Sequence, residues 1–428
     1  MVEGIVTFII LLILILISIP IAFSMIVAGI LAFLFFADIP LSVVIQSIFY
    51  NLKPYAYSAV LYFVFAGTVM ARGALAHKLL DIADAFVGFF PGGIAIAAVV
   101  GCGLFGTISG SDLATMTAIG GIVVPALIAR GWPRPFAAGL LGASALLGMI
   151  IPPSIPGLIY GLFVGVSVGA IFLSGILPGI IIILLFSTYL YFKSKKMWPE
   201  QKIQKPNIWK MAVSLKNGIW ALGMPVIIFG GIYGGIFTVT EAAAAAASYS
   251  LFVELFIHRG LKIDDIPAVA VESALMTAVV LFLLAGASVL GRYLTLEQIP
   301  QMFAEKIFQV VTNKWSFLLV TNIFLLILGC LVDIVTAIVI VMPILVPLYQ
   351  KFGINELHFG MIFLINMYIG YLTPPVGINL YAASSLFKVP LVEIGKAYIP
   401  FFFLLLIALI LVIIFPQLST WIPNLVYG

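Results

Sequence analysis

Charge is what this sequence has least of. Only 8% of its 428 residues are Asp, Glu, Lys or Arg, while 64% are hydrophobic. A soluble domain carries about 25% charged residues, so water is excluded as the solvent for most of this surface. Cysteine is nearly absent. Cys102 and Cys330 stand apart in apolar surroundings, without metal-type spacing, and read as small packing residues rather than a disulfide. The three histidines, His77, His258 and His358, are scattered and suggest no metal cluster. No G-x-x-x-x-G-K-[ST] loop occurs, so the chain does not hydrolyse ATP. Sustained alternation of apolar and polar residues is also missing, which argues against strands.

What is present is a succession of apolar runs, for example Ile5 to Ile17, Ile171 to Tyr191 and Pro400 to Phe415. Runs near the 20 residues needed to cross hydrocarbon predict spanning or embedded helices. They fall near 4–37, 55–75, 92–129, 134–168, 169–192, 217–236, 240–258, 270–293, 315–350, 357–386 and 391–418. The first run follows Met1-Val2-Glu3, lacks a basic flank and a small-residue cleavage site, and reads as a retained helix. Pro20 interrupts it, so whether it crosses once or twice, and the sidedness of the N-terminus, stay open. Lys193, Lys195, Lys196, Lys202, Lys205, Lys210 and Lys216 crowd one polar stretch, opposed by Glu200. Short Lys-rich loops remain in the cytoplasm, and such a loop explains these lysines without a nucleic-acid partner. With 193–216 inside, alternation also puts Arg72, Lys78, Arg130, Arg134, His258, Arg259, Lys262 and Lys388 inside.

Two segments predict re-entrant hairpins. Residues 92–129 carry Gly106-Thr107-Ile108-Ser109-Gly110-Ser111-Asp112 at their middle, and 315–350 carry Gly329-Cys330-Leu331-Val332-Asp333. Each is followed by an apolar helix broken by a proline pair, Pro152-Pro153 and Pro374-Pro375. From Gly106 it is 19 residues to Pro125, 25 to Gly131 and 46 to Pro152; from Gly329 it is 18 to Pro347, 24 to Gly353 and 45 to Pro374. A single-residue indel brings the two sets into register, which marks an internal repeat. Five crossings separate the hairpins, so they open to opposite faces, and inverted repeats with interrupted helices point to a secondary transporter's midplane site. Upstream of each hairpin lies an amphipathic stretch, with His77, Asp81 and Asp84 on one face of 77–90, and Gln298, Gln301, Glu305 and Gln309 on one face of 298–311. These are either interfacial arms or ordinary connecting helices.

The resulting expectation is an all-α polytopic membrane protein. It would comprise scaffold helices 1–75, a first repeat 76–168, scaffold helices 169–297, a second repeat 298–386 and a C-terminal helix 387–428. Proline removes the donors that carbonyls one turn earlier require, and a hard cation such as sodium needs several oxygens at fixed positions. One cation site would combine the Gly106–Ser111 tip, Ser109 included, with Gly148, Ile151 and Pro153. A second would combine the Gly329–Asp333 tip with Gly370, Thr373 and Val376. Backbone carbonyls supply most ligands, with hydroxyls from Ser109, Ser111, Ser154 and Thr373. Between the clusters an organic anion would meet Ser109, Ser111, Ser154 and Asp333, with Asp333 taking a substrate hydroxyl or amine, or balancing cation charge. The structural alternatives are close packing by small residues and, for Asp112, helix N-capping. An intramembrane aspartyl protease built on Asp112 and Asp333 is the alternative of another class; it requires two carboxylates sharing a proton.

Four segments carry a family resemblance: Gly106 to Gly120 with its Ser-Gly-Ser core, Ile150 to Pro156, Gly370 to Gly377, and Gly230-Gly231-Ile232 with Gly235 to Ala243. Over essentially its full length the chain resembles the large membrane subunit of tripartite ATP-independent periplasmic (TRAP) transporters. It departs from the usual pattern at Val239, where a proline is common, and at Asp112, where a small residue is usual. The resemblance implies an elevator in a bacterial inner membrane, with a scaffold and a transport domain carrying both hairpins. It implies sodium coupling, with the two cation sites on the residues above, and substrate contacts at Ser109 or Ser111, Ser154 and Asp333. It implies two protein partners, a small four-helix membrane subunit and a periplasmic substrate-binding protein. A chain of this length leaves no room for that small subunit within it. The family's usual cargo is an organic anion such as a dicarboxylate or a sialic acid. A stand-alone ion-coupled carrier of the same superfamily is the alternative within transport.

Overall fold

The computed structural model describes residues 2–37, 40, 42–311, 313–374 and 377–428. The described residues are helical throughout, with no strand among them. Among the described residues, seven helices are long and apolar enough to cross a membrane, or nine if two bent pairs each count as one span. The apolar side chains are distributed as lipid requires. In Leu391–Ile414, Phe401 and Leu405 are fully buried, while Phe403 is 57% and Ile410 50% exposed. A helix apolar on both its packed and its outer face is stable only where the outer solvent is hydrocarbon. The chain is an all-helical polytopic membrane protein.

The outer frame is built from Ile21–Phe36 and Ser58–Arg72, both packed on Ile266–Leu296, with Val239–Phe252 against Ser58–Arg72. Two helix–turn–helix units lean on this frame. The first runs Gly93–Ser109, turns at Gly110 with φ 59°, and continues as Asp112–Ala129. The second runs Lys314–Gly329 and continues as Ile334–Lys351. Their neighbours correspond in pairs. Gly93–Ser109 packs on Leu147–Ile150 before the first proline break, and Lys314–Gly329 on Glu356–Gly370 before the second. Asp112–Ala129 packs on Ile378–Phe387 after the second break, and Ile334–Lys351 on Ile155–Val164 after the first. Each unit thus packs across the other's broken helix. Gly131 and Gly353, aligned by the sequence spacing, both close their units with left-handed backbone, at φ 85° and 63°.

Local chemistry accounts for where the elements part from the sequence reading. Residues 4–37 form two helices, Val2–Leu16 and Ile21–Phe36, that pack on one another across a turn at Ser18 (φ 65°) and Pro20. Residues 134–168, expected as one interrupted helix, are Arg134–Ser144, Leu147–Ile150 and Ile155–Val164. The polar stretch 193–216 contains a helix, Ile208–Asn217, bent by 65° from Ile219–Tyr233 at Gly218. Ser42–Leu52, which no predicted span covered, is bent by 63° from Tyr55–Arg72 beyond Pro54. Both are short and carry little apolar continuity, so a search for long apolar runs passes over them. The two amphipathic stretches are helices, Leu75–Val87 and Ile299–Val310, with His77, Asp81, Gln298, Gln301 and Glu305 exposed.

Candidate functional site

A pair of glycines in close contact stands at each predicted cluster. A Cβ placed on Gly106 would lie 2.8 Å from Gly148 Cα and 2.9 Å from Leu147 O, so the first tip and the first broken helix touch backbone to backbone. A Cβ on Gly329 would lie 3.2 Å from Gly370 Cα, and one on Gly370 would collide with the Gly329 backbone. The same contact therefore occurs in both repeats, between the positions aligned by spacing.

Oxygens gather at the first of these contacts. The Ser111 carbonyl accepts from Thr115 Oγ1 at 2.7 Å and from Ser109 Oγ at 3.3 Å, and Ser109 Oγ and Thr115 Oγ1 are 3.0 Å apart. Side-chain bulk at Gly148 would strike Thr115 Oγ1 and come within 2.9 Å of the Ser111 carbonyl. Pro152 has no N–H to offer the Gly148 carbonyl one turn earlier. The Met149 carbonyl, deprived in the same way by Pro153, accepts from Tyr368 Oη at 2.9 Å, which ties the first broken helix to the second. The Pro153 carbonyl lies under the tip, 2.7 Å from where a Cβ on Gly110 would sit. Ile151 ends its helix with extended backbone, and its side chain packs beside Gly103 and Gly179. This neutral, oxygen-only set suits a hard monovalent cation.

At the second contact, Thr373 Oγ1 donates to Ile369 O at 2.9 Å and Thr373 N donates to Gly370 O at 2.9 Å. The Gly370 carbonyl and the Thr373 hydroxyl are thus already engaged along their own chain. Pro375 and Val376 lie outside the described residues.

Three of the residues expected to contact substrate are helix caps, Ser111 and Asp333 on the second helices of the two units and Ser154 on the helix after the first proline break. Ser111 accepts from Ala114 N at 3.4 Å, Ser154 from Gly157 N at 3.0 Å and Asp333 from Thr336 N at 3.0 Å, with Thr336 Oγ1 also on the Asp333 carboxylate. Each cap satisfies a donor that the helix start leaves orphaned. Asp112, for which capping was the alternative, is the first residue of its helix and not the cap; its Oδ1 accepts from Leu113 N at 2.8 Å.

A cavity of about 510 Å³ joins the two units. Ser109, Ser111 and Asp333 line it, and Ser154 does not, although its successors Ile155 and Pro156 do. The wall is made of helix beginnings: Asp112–Ala129, Ile155–Val164, Ile334–Lys351 and Ile378–Phe387 all start on it. Four helix N-termini turn their positive ends toward it, alongside the side chains of Arg72, Asp112, Glu272 and Asp333. The opposite wall belongs to the frame, with Gly67, Thr68 and Arg72 from one helix and Glu272 and Met276 from another. Arg72 and Glu272 pair at 2.5 Å on that wall. At Gly67 the frame approaches closest, since a Cβ there would lie 3.0 Å from Ser109 Cα and O.

Sequence reasoning missed Thr115 and Tyr371. Thr115 is fully buried at the oxygen cluster, four residues after Ser111. Tyr371, inside the motif Gly370 to Gly377, lines the cavity and accepts from Ile334 N at 2.8 Å, completing the start of the helix that Asp333 caps. Each lies within a segment that carries the family resemblance, Gly106 to Gly120 for Thr115 and Gly370 to Gly377 for Tyr371, without being singled out there. Cys102 and Cys330 are free, and the described residues include no group of three or more His, Cys, Asp or Glu placed to hold a metal.

A family model described as "Tripartite ATP-independent periplasmic transporter, DctM component" matches residues 8–418. The chain is 38% identical over 399 residues to a C4-dicarboxylate TRAP transporter large permease protein of Pseudomonas aeruginosa, covering 93% of each. It is 36% identical over 407 residues to an isethionate TRAP transporter permease protein, DctMQ, of Oleidesulfovibrio alaskensis, covering 95% of this chain but 63% of that longer one. An ectoine TRAP transporter large permease protein of Halomonas elongata is 34% identical over 386 residues, 90% of each. Among solved structures, the YdaH transporter of Alcanivorax borkumensis superposes with a TM-score of 0.59 over 87% of this chain and 88% of its own, at 13% identity, a likeness of fold alone.

Proposed function

Because the chain belongs to the DctM large-permease family of TRAP transporters, multi-pass proteins of the bacterial inner membrane and not enzymes, we propose that it imports a carboxylate-bearing organic solute in symport with sodium. The observation that carries this reading is the cavity onto which four helix N-termini open, between two glycine-paired clusters. Although several first amides of those helices are already capped, by Ser111, Asp112, Ser154, Asp333 and Tyr371, the helix dipoles turn their positive ends toward an anion. Ser109 and Ser111 offer hydroxyls to it, and Asp333 restricts the choice to solutes that also present a hydroxyl or an amine, or that arrive with cations. C4-dicarboxylates and ectoine, named for two relatives, carry a carboxylate and mark the range of candidate cargo; isethionate, named for a third, is a sulfonate and lies outside it.

Sodium enters this reading as co-substrate. The carbonyls of Ser111 and Gly148 and the hydroxyls of Ser109 and Thr115 would hold one ion. The second would take Gly329, Gly370 and Thr373, whose oxygens keep a lone pair beside the bonds they already make, with Val376, which lies outside the described residues, carried over from the sequence reading alone. The two units and their broken helices form the moving block of an elevator, and the helices containing Gly67 and Glu272 form its stationary wall. The amphipathic helices Leu75–Val87 and Ile299–Val310 serve as the arms between them. With the lysine-rich stretch inside, the ion pair of Arg72 and Glu272 would stand at the cytoplasmic end of the cavity. A periplasmic binding protein delivers the solute, and a small membrane subunit, fused in the DctMQ relative by its name, completes the carrier.

The test is uptake into proteoliposomes holding the chain with its small subunit, supplied with loaded binding protein. Uptake of a C4-dicarboxylate or ectoine requires an inward sodium gradient and falls at least about tenfold in Gly148→Ala, where the new methyl group invades the Thr115 and Ser111 oxygens. Equal uptake with the gradient collapsed would sink the symport reading, and full activity in Gly148→Ala would remove the first ion site.

A further inference from the structure

A second, larger cavity, of about 680 Å³, lies away from the transport site, where the base of the first helix–turn–helix unit meets the lysine-rich stretch. Its wall combines three kinds of group. Arg130, Lys202, Lys205 and Lys210 supply four positive charges against the single carboxylate of Asp84. Lys210 is paired with Asp84 at 2.5 Å, while Arg130, Lys202 and Lys205 are exposed and make no ion pair among the described residues. Phe89, Phe90, Trp132 and Trp198 line the apolar side, with Trp132 and Trp198 edge to face at 5.1 Å. Gly92 and Gly93, the start of the 17-residue helix Gly93–Ser109, form the floor and add its positive end.

The cavity also has a fixed frame. Gln201 Oε1 accepts from Ser194 Oγ at 2.9 Å and from Gly92 N at 3.4 Å, and Gln204 N donates to Phe89 O at 2.9 Å. These bonds hold residues 201–204 over the helix start, so the lysines that follow are presented at one rim. A basic, aromatic-walled recess at a membrane boundary matches a phospholipid headgroup, because the phosphodiester needs cationic donors while the glycerol and first methylenes need apolar cover. The lysine bias puts this rim on the cytoplasmic leaflet. The geometry points to a binding site for an anionic phospholipid headgroup, held by Arg130, Lys202 and Lys205 and flanked by Trp132 and Trp198. It does not depend on which solute or ion the permease carries.

The site is tested on the purified full-length chain in nanodiscs of phosphatidylcholine, by titrating brominated phosphatidylglycerol and reading quenching of tryptophan fluorescence. Brominated phosphatidylcholine sets the non-specific level. The expected result is saturable quenching by the phosphatidylglycerol, weakened about thirty-fold in apparent affinity when Lys202→Gln and Lys205→Gln are combined. Neither lysine makes a bond within the fold that the change would break. Trp198→Phe removes most of the saturable component and locates it. Three results would overturn the proposal: equal quenching by the two lipids, an unchanged affinity in the double variant, or competition by millimolar inorganic phosphate as strong as by the lipid. The last of these would assign the cavity to a soluble phosphate.

Discussion

Thr115 shows how much of this site rests on single side chains that a motif does not advertise. Its hydroxyl sits between the Ser111 carbonyl and Ser109 Oγ, with no exposed surface. Replacement by valine preserves volume and removes the oxygen. Thr115→Val should therefore raise the sodium concentration for half-maximal uptake by about tenfold, the loss of roughly one hydrogen-bond-sized contact, while membrane insertion is retained. An unchanged sodium dependence would exclude Thr115 from the ion site. The glycines at 106, 148, 329 and 370 were legible because their spacing repeats. Thr115 was not, because Thr117 offers the same hydroxyl two residues on in the same helix, and nothing in the sequence separates the two. The serines read ambiguously for a physical reason, since a hydroxyl at a helix start caps the helix whether or not it also meets cargo. Ser154 illustrates this, bonded to Gly157 N and set behind the cavity wall.

Among the elements, the arm helix Leu75–Val87 has an unusual anchor. The fully buried Glu254, on a π-helical turn spanning Val253–Ile257, accepts from Ala74 N at 3.0 Å and Leu75 N at 2.9 Å. Side chains at Gly73 or Gly260 would strike its carboxylate. The chain thus leaves the frame helix at Gly73 and begins the arm on a charge supplied by a different helix, which favours that helix start. Glu254→Ala leaves two amide donors without their acceptor, at about 1–3 kcal/mol each. Hydrogen exchange in the first turns of the arm should then accelerate at least about tenfold, with the exchange of Gly93–Ser109 unaltered. Protection equal to the parent chain would show that the arm holds without Glu254. The arm itself was visible as an amphipathic stretch in the sequence. Its anchor was not, because Glu254 lies some 180 residues downstream of the backbone it caps.

At the level of the whole molecule, hydropathy and proline spacing were enough to expose an all-helical membrane protein with a duplicated core. What escaped them were the short bent helices Ser42–Leu52 and Ile208–Asn217, and the way each repeat packs across the other's broken helix. Pairing of that kind depends on contacts between residues hundreds of positions apart, such as Tyr368 with Met149. The sidedness rests on the lysines. A Lys202→Cys variant, with Cys102 and Cys330 replaced, should react with a membrane-impermeant maleimide in inverted vesicles and stay unreactive in intact spheroplasts. The reverse pattern would invert every assignment of inside and outside made above. The cavity wall of helix beginnings has a broader consequence. The dipoles of those helices come from peptide groups, which no side-chain exchange removes. Under the proposed function, a lineage built on this chassis is free to retune which solute it carries by altering Asp333 and its neighbours on the wall, while the helix starts stay in place.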